Sequence, residues 1–290
     1  MGDEAREEAR GEARVPPRSL SGKLLDVLGT FQADHAELTL SQISRRSGLP
    51  LSTTHRLVRD LATWGALERS ATGAYHIGLH LWEIASLAPR SLGLREIALP
   101  YMEDLYEATH ENVQLAVRDG LEVVFVERLA GRDAVRVLTR VGGRFAMHAT
   151  GVGLVLLAYA PPDVQEQVLS GPLERWTPKT IGSPVHLRRV LAEVRQRGYA
   201  VSDGQVTMDA LSVGVPIRAS GDQVVAALSL VAHAEGAQPG ALAAAVRAAA
   251  RGISRALGSP AAQRSTRQFL RRPAGHDHQG GATIPGAASS

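Results

Sequence analysis

The sequence predicts an α+β chain built in two parts, a winged helix-turn-helix followed by an antiparallel sheet flanked by helices. Three observations lead there. Apolar residues recur at helical spacing from Leu20 to about Ala88, with a capping box at Thr39–Gln42. From Leu94 to Leu257 short alternating runs and helical runs follow one another, with the hairpin signal Asp119-Gly120 among them. Between the two stretches, Pro89-Arg90-Ser91-Leu92-Gly93 interrupts both patterns.

Leu24, Leu25, Val27, Leu28 and Phe31 give a first amphipathic helix, broken at Asp34-His35-Ala36. In Thr39-Leu40-Ser41-Gln42 the threonine accepts an amide hydrogen bond while the glutamine reaches back, so a second helix starts there, and Gly48 ends it without a Cβ penalty. Pro50 suits the first position of a third helix running to Trp64, because its missing N–H would be unpaired there anyway. At about 100° per residue, Thr54, Leu57, Val58, Leu61 and Trp64 share one side of it. Ser52, His55, Arg56, Arg59 and Thr63 share the other.

That second side carries hydroxyls and cations, the side chains that read base edges and phosphates in a major groove. Ser52, Thr53, His55, Arg56 and Arg59 are therefore the candidate DNA-reading residues. Arg45 and Arg46, on the second helix, are either phosphate contacts or plain solvated cations. Leu67-Glu68-Arg69 and Tyr75-His76-Ile77 bracket Ser70 to Ala74 as a β-hairpin, the wing, whose Arg69 would position the backbone rather than specify bases.

In the second part, helical spacing runs through Leu94, Ile97, Leu105 and Ala108, with Pro100 opening a new turn. Asn112 to Arg118 and Leu121 to Arg128 flank Asp119-Gly120, and Val135 to Val141 is read as a third strand. Thr150-Gly151-Val152-Gly153 precedes an apolar run. It is either a helix entry whose amides suit a carboxylate or a tight buried turn, with His148 just before it as a wall residue. A helix from Pro184 to Arg197, strands at Tyr199 to Ser202, Leu211 to Ile217 and Gln223 to Val231, and an Ala-rich helix from Ala241 to Leu257 complete a common container for small molecules.

The order of elements resembles the IclR family of bacterial transcriptional regulators. The likeness rests on the run from Leu38 to Leu57, on Gly65, on Leu67-Glu68-Arg69 and on Gly73 to Gly78, and spans residues 20 to 258. It implies a winged helix (19–78), a linker helix (Leu79 to Ala88, within 79–93) and an effector-binding domain of GAF-like or profilin-like fold (94–258). It also implies a homodimer or tetramer on a palindromic operator; two recognition helices about 34 Å apart read half-sites one duplex turn apart. The matching pocket segments are Phe145 to Gly153, Gly198 to Asp203, Ser212 to Ile217 and Val225 to Ser229. They point to His148, Thr150, the amides of Gly151 and Val152, and Ser202, Asp203, Ser212 and Ser229 as effector-binding residues. Ser212 stands where cysteine is frequent, Leu154 where lysine is frequent, Val231 where a serine can occur, and Ser202-Asp203-Gly204-Gln205 where an acidic run is common. The loss of polar groups predicts a small organic effector, acidic or aromatic, that is bulkier or more apolar than a two- or three-carbon acid.

Composition narrows the alternatives. The 290 residues contain 44% apolar and 21% charged side chains and no cysteine, so thiolate catalysis, disulfides and Cys-ligated metals are excluded. Four arginines against one aspartate beyond Pro260 account for the whole net charge of +3, so overall charge carries no argument for nucleic acid. Residues 1–18 and 259–290 read as a disordered arm and tail, and His276 and His278 in the latter are too few for a metal site. No cofactor is expected. The N-terminus has no apolar signal core and no apolar run reaches the roughly 20 residues of a membrane span, which predicts a cytoplasmic protein without a membrane partner. One rival is a hydrolase-like enzyme using His148, Asp203 and Ser229, but no nucleophile elbow, phosphate loop or zinc motif accompanies them. A second is a helix-turn-helix that makes only protein contacts.

Overall fold

The computed structural model describes residues 19–32, 35–87 and 92–262; the N-terminal arm and the His276-Asp277-His278 stretch lie outside the described residues. The chain divides into two compact units between Leu92 and Gly93.

The first unit holds α1 (Leu20–Leu28), α2 (Leu40–Ser47), α3 (Leu51–Trp64), β1 (Leu67–Arg69), β2 (Tyr75–Ile77) and α4 (Leu79–Ala85). The capping box forms as read: Gln42 N donates to Thr39 Oγ1 at 3.4 Å, and Thr39 N donates to Gln42 Oε1 at 2.7 Å. Gly48, at φ 67°, closes α2 in the left-handed region. Pro50 lies one residue outside α3, at ψ 144°, and its carbonyl takes the amide of Thr54 at 2.9 Å. Val27, Ile43, Leu57, Val58 and Leu67 form the centre of the core, with Leu24 and Leu28 packed against it. Leu25 is 67% exposed, because a nine-residue helix laid on this core buries one side only. Trp64 also leaves the buried face: it is the last residue of α3, and its ring sits edge-on to His80 with centroids 4.6 Å apart.

The second unit begins with α5 (Leu92–Thr109), a continuous helix with Pro100 inside it rather than opening a new turn. It continues with β3 (Asn112–Asp119), β4 (Glu122–Leu129), β5 (Arg144–Ala146), α6 (Gly151–Ala158), α7 (Pro162–Ser170), α8 (Pro184–Arg197), β6 (Ala200–Asp203), β7 (Ala210–Arg218), β8 (Val224–His233) and α9 (Pro239–Ala256). The strands form one antiparallel sheet in the order β5-β4-β3-β8-β7-β6. Side chains alternate across it. Val113, Leu115, Val215, Ile217, Leu228 and Leu230 pack under α5 and α9, whereas Ala116, Ala200 and Ala227 join α6, α7 and α8 on the opposite face. All eight residues of α6 are buried, so this apolar helix is the centre of the second layer.

Two expectations are corrected here. Residues 135–141 form no strand; Val135 O accepts from Asn112 Nδ2 at 2.9 Å and Thr139 Oγ1 from Gln114 Nε2 at 2.6 Å, so side chains of β3 hold the segment as an irregular cover. The ladder outside β4 is instead formed by β5, with Val123 opposite Phe145. Residues 259–262, assigned to the tail, are fixed: Ser259 Oγ and Ala261 N both donate to Asp222 Oδ1, at 2.8 and 3.0 Å. That carboxylate lies 37 residues upstream of Ser259, beyond the reach of any local pattern.

Candidate functional site

The first unit presents α3 with two distinct sides. Thr54, Leu57, Val58 and Leu61 are buried, while Ser52, His55, Arg56 and Arg59 are exposed and Thr53 is half-buried at the margin. The buried leucines orient the helix, and that orientation turns the cationic side to solvent. No side chain caps the α3 N-terminus, so the first-turn amides face outward beside Ser52. Arg59 keeps Asp60 at 3.6 Å, but both are more than half exposed and the pair contributes little.

The other predicted cations are less available. Arg46 is exposed, yet its Nε donates to Thr30 O at 3.2 Å. Arg69 folds over its own hairpin, Nε to Gly73 O at 3.4 Å and the guanidinium 5.8 Å from the Tyr75 ring. Arg45 is exposed on the last turn of α2.

In the second unit a pocket of about 390 Å³, counting its open mouth, lies between the N-terminus of α6, the strands β3, β6, β7 and β8, and the irregular cover. Of the predicted effector residues, Thr150, Gly151, Ser202 and Ser212 line it. Thr150 caps α6 through its hydroxyl, which accepts from Gly153 N at 3.0 Å, and Ser202 Oγ donates to Ala149 O at 3.0 Å. Gly151 packs closely on β7: a Cβ there would come within 2.7 Å of Ser212 Oγ and 3.3 Å of Gly214 N. Among the described residues no lysine, arginine, aspartate, glutamate or histidine lines this pocket, so an anion inside it meets hydroxyls, amides and the positive end of a helix rather than a counter-charge.

Four predicted residues place their side chains elsewhere, although the reading of Val152 concerns its backbone amide, in the first turn of α6. His148 is buried against Trp176, with Nε2 2.8 Å from Glu174 O, and burial lowers its pKa. Asp203 is exposed and paired with Lys179 at 3.0 Å, because it follows Ser202 in a strand and so points the opposite way. Val152 has its side chain in the core. Ser229 is fully buried, its hydroxyl without a partner, opposite Gly214 in β7, the residue on which α6 rests. Leu154 likewise faces the core, whereas Val231 does line the pocket. With His148, Asp203 and Ser229 in three separate environments, no hydrolytic relay exists.

Gln114, Thr139, Val206, Thr207 and Ala210 also line the pocket and are not among the residues expected from the sequence. One signal was available for the first: Asn112 and Gln114 are polar at alternate positions beside the apolar Val113, Leu115, Ala116 and Val117, which places two amides on one buried face.

Residues 22–71 match the IclR helix-turn-helix domain, and residues 87–255 match the bacterial transcriptional regulator IclR C-terminal domain. The chain belongs to the IclR family. Its relatives include the HTH-type transcriptional regulator XynR of Escherichia coli, 30% identical over 244 residues that cover 82% of this chain and 97% of that protein. KipR of Bacillus subtilis, also an HTH-type transcriptional regulator, is 34% identical over 194 residues, 67% of this chain and 78% of that one. Among solved structures, an IclR homolog from Microbacterium hydrocarbonoxydans complexed with 4-hydroxybenzoate is 42% identical, with a TM-score of 0.79 over 83% of this chain and 99% of its own. The IclR-family chain is thus a transcriptional regulator with a helix-turn-helix DNA-binding domain and an effector-binding domain, not an enzyme. Among the described residues no helix is long and apolar enough to cross a membrane.

Proposed function

We propose that this regulator reads a palindromic operator as a homodimer, alone or paired into a tetramer, and that a small aromatic carboxylic acid in the β-sheet pocket sets its DNA affinity. Residues 19–78 are the reader, 79–93 the linker and 94–258 the sensor. Ser52, Thr53, His55, Arg56 and Arg59 enter the major groove, and Arg45 contacts phosphate; Arg46 and Arg69 use their remaining N–H groups on the backbone. The observation that carries this reading is the two-sidedness of α3, one side core and the other hydroxyl plus cation.

A partner copy is supported by α4, which leaves Leu79, Trp82, Ile84 and, just beyond it, Leu87 exposed at 59, 61, 46 and 78%. Four large apolar side chains in one short segment favour burial against a second chain. The effector class is supported by the uncharged pocket, by Val231 on its wall, and by the 4-hydroxybenzoate carried by the Microbacterium homolog. A carboxylate at the α6 N-terminus, near the Gly151 amide and Ser212, leaves the ring against Val137, Leu138 and Val231. Regulation then requires that the ligand bind one arrangement of the dimer more tightly than the other. The compartment in this reading is the cytoplasm, where the operator is.

The test is fluorescence anisotropy on operator fragments selected from the source genome. Arg56→Ala and Arg59→Ala each lower affinity by about 1 to 3 kcal/mol, and affinity falls steeply with salt. Adding 4-hydroxybenzoate shifts the isotherm for the parent protein and not for Ser212→Ala. Binding indifferent to both salt and Arg59 would assign the helix-turn-helix to protein contacts.

A further inference from the structure

The effector domain carries a second concavity of opposite chemistry. An open groove of about 1010 Å³ lies between the C-terminus of α8, the end of β7, α9 and the fixed segment 259–262. Arg197, Arg218, Arg247 and Arg251 all line it; among the described residues no acidic side chain does, and the nearby Asp222 carboxylate is engaged by Ser259 Oγ and Ala261 N. Its floor is small and neutral, formed by residues such as Pro216, Ala250 and Ser254.

Two of the arginines are held in place. The Arg218 guanidinium lies 4.8 Å from the Tyr159 ring centroid and donates from Nη1 to Asp222 O at 2.7 Å. The Arg247 guanidinium lies 4.8 Å from the Tyr199 ring and donates from Nη2 to Arg197 O, which closes the end of α8. Each therefore has a structural role that uses one of its five N–H donors and leaves the others for a ligand. The ring contact and the hydrogen bond together hold each guanidinium, so little rotamer freedom remains to be lost on binding. Arg197 and Arg251 are exposed at the rim; the former has Glu193 at 3.9 Å, too distant and too solvated to neutralise it.

Four guanidiniums around one groove exceed what a monocarboxylate requires. Planar forks pair bidentately with phosphate oxygens, and a chain of phosphates supplies several such pairs in succession. A flat nucleic-acid backbone fits less well, because the cations converge on a concavity rather than line a stripe.

We infer that this groove is a binding site for a small polyphosphate ligand, either an inorganic phosphate chain or the phosphate chain of a nucleotide. The site is separate from the effector pocket: Thr150 and Gly151 at the start of α6 line the pocket, and Tyr159 at its end lines the groove. The inference does not depend on the identity of the effector.

Isothermal titration calorimetry on the full-length protein, at constant ionic strength, tests it with inorganic tripolyphosphate, a nucleoside triphosphate and sulfate. Tripolyphosphate binds at least tenfold more tightly than sulfate, and the Arg197→Ala/Arg251→Ala double variant loses at least tenfold. Both changes are at exposed positions, and circular dichroism verifies the fold. Arg132→Ala, exposed and outside the groove, binds as the parent does. A nucleoside triphosphate that outbinds tripolyphosphate makes the source a nucleotide; equal affinities make it the phosphate chain alone. Tripolyphosphate binding no tighter than sulfate, or undiminished in the double variant, overturns the inference. So does a double variant that loses operator affinity while the parent binds no tripolyphosphate, which makes the groove a DNA contact.

Discussion

Gly214→Ala tests how closely α6 must approach the sheet. Gly214 lies in β7, and a Cβ there would sit 2.5 Å from Gly151 O, 2.6 Å from Gly151 C and 2.9 Å from Val152 N. All three are backbone atoms at the start of a buried helix, so no side-chain rotation relieves the clash. Ordinary contact begins near 3.4 Å, so the helix and strand must separate by about 1 Å along that seam. Overpacking of a dense core costs about 1 to 3 kcal/mol, and a rigid backbone contact belongs at the upper end. For a domain of this size each kcal/mol lowers Tm by roughly 2 to 4 °C, which gives a fall of about 6 to 12 °C. The control is Gly240→Ala near the start of α9, where nothing lies within 4 Å and alanine is the better helix former. Thermal unfolding followed by circular dichroism reads both, with the expectation that Gly240→Ala leaves Tm unchanged or slightly raised. A Gly214→Ala protein that melts with the parent would refute the claim that this contact sets the helix–sheet spacing.

Two further predictions follow from the same structure. Thr39→Ala removes the hydroxyl half of the capping box and destabilises the first unit by about 1 kcal/mol, read as an earlier denaturant midpoint for that unit; Thr39→Ser retains the parent midpoint. His148 has its pKa lowered chiefly by burial, partly offset by the Glu174 carbonyl and carboxylate, so the unfolded chain takes up this proton at higher pH than the folded one. Stability therefore rises with pH from the depressed folded value up to about 6.5 and levels off above it. His148→Gln, which keeps a donor for Glu174 O, flattens the Tm-against-pH curve below about pH 6.5, by at most the contribution of one proton. An unchanged slope would show that another group governs that range.

The parts of the protein legible in its sequence are those set by neighbours three or four residues apart, or by a two-residue turn. The Thr39–Gln42 box, the left-handed Gly48, the two sides of α3 and the β3–β4 hairpin are of this kind, and each lies where local sterics and hydrogen bonding place it. The helix α7 and the strand β5 are not legible in this way: α7 buries only Val168 and Leu169, and β5 is three residues long, defined only by its pairing with β4.

The candidate pocket was legible only in part, and the reason is geometric. Thr150, Gly151, Ser202 and Ser212 could be named from the chain, but whether a polar residue faces the pocket, the core or the solvent is settled by strand parity and by which helix covers it. Ser202 and Asp203 are adjacent and point to opposite faces; Ser229 and Val231 share a face, yet α6 rests over the first and the pocket opens over the second. Covers tied by distant side chains, such as Gln114 to Thr139 or Asp222 to Ser259, leave no periodic trace. By itself the sequence determined most of the elements and the chemistry of the exposed side of α3, because those depend on interactions within a few residues. Only the tertiary structure decided the pocket wall and the arginine groove, because both are assembled from residues dozens of positions apart.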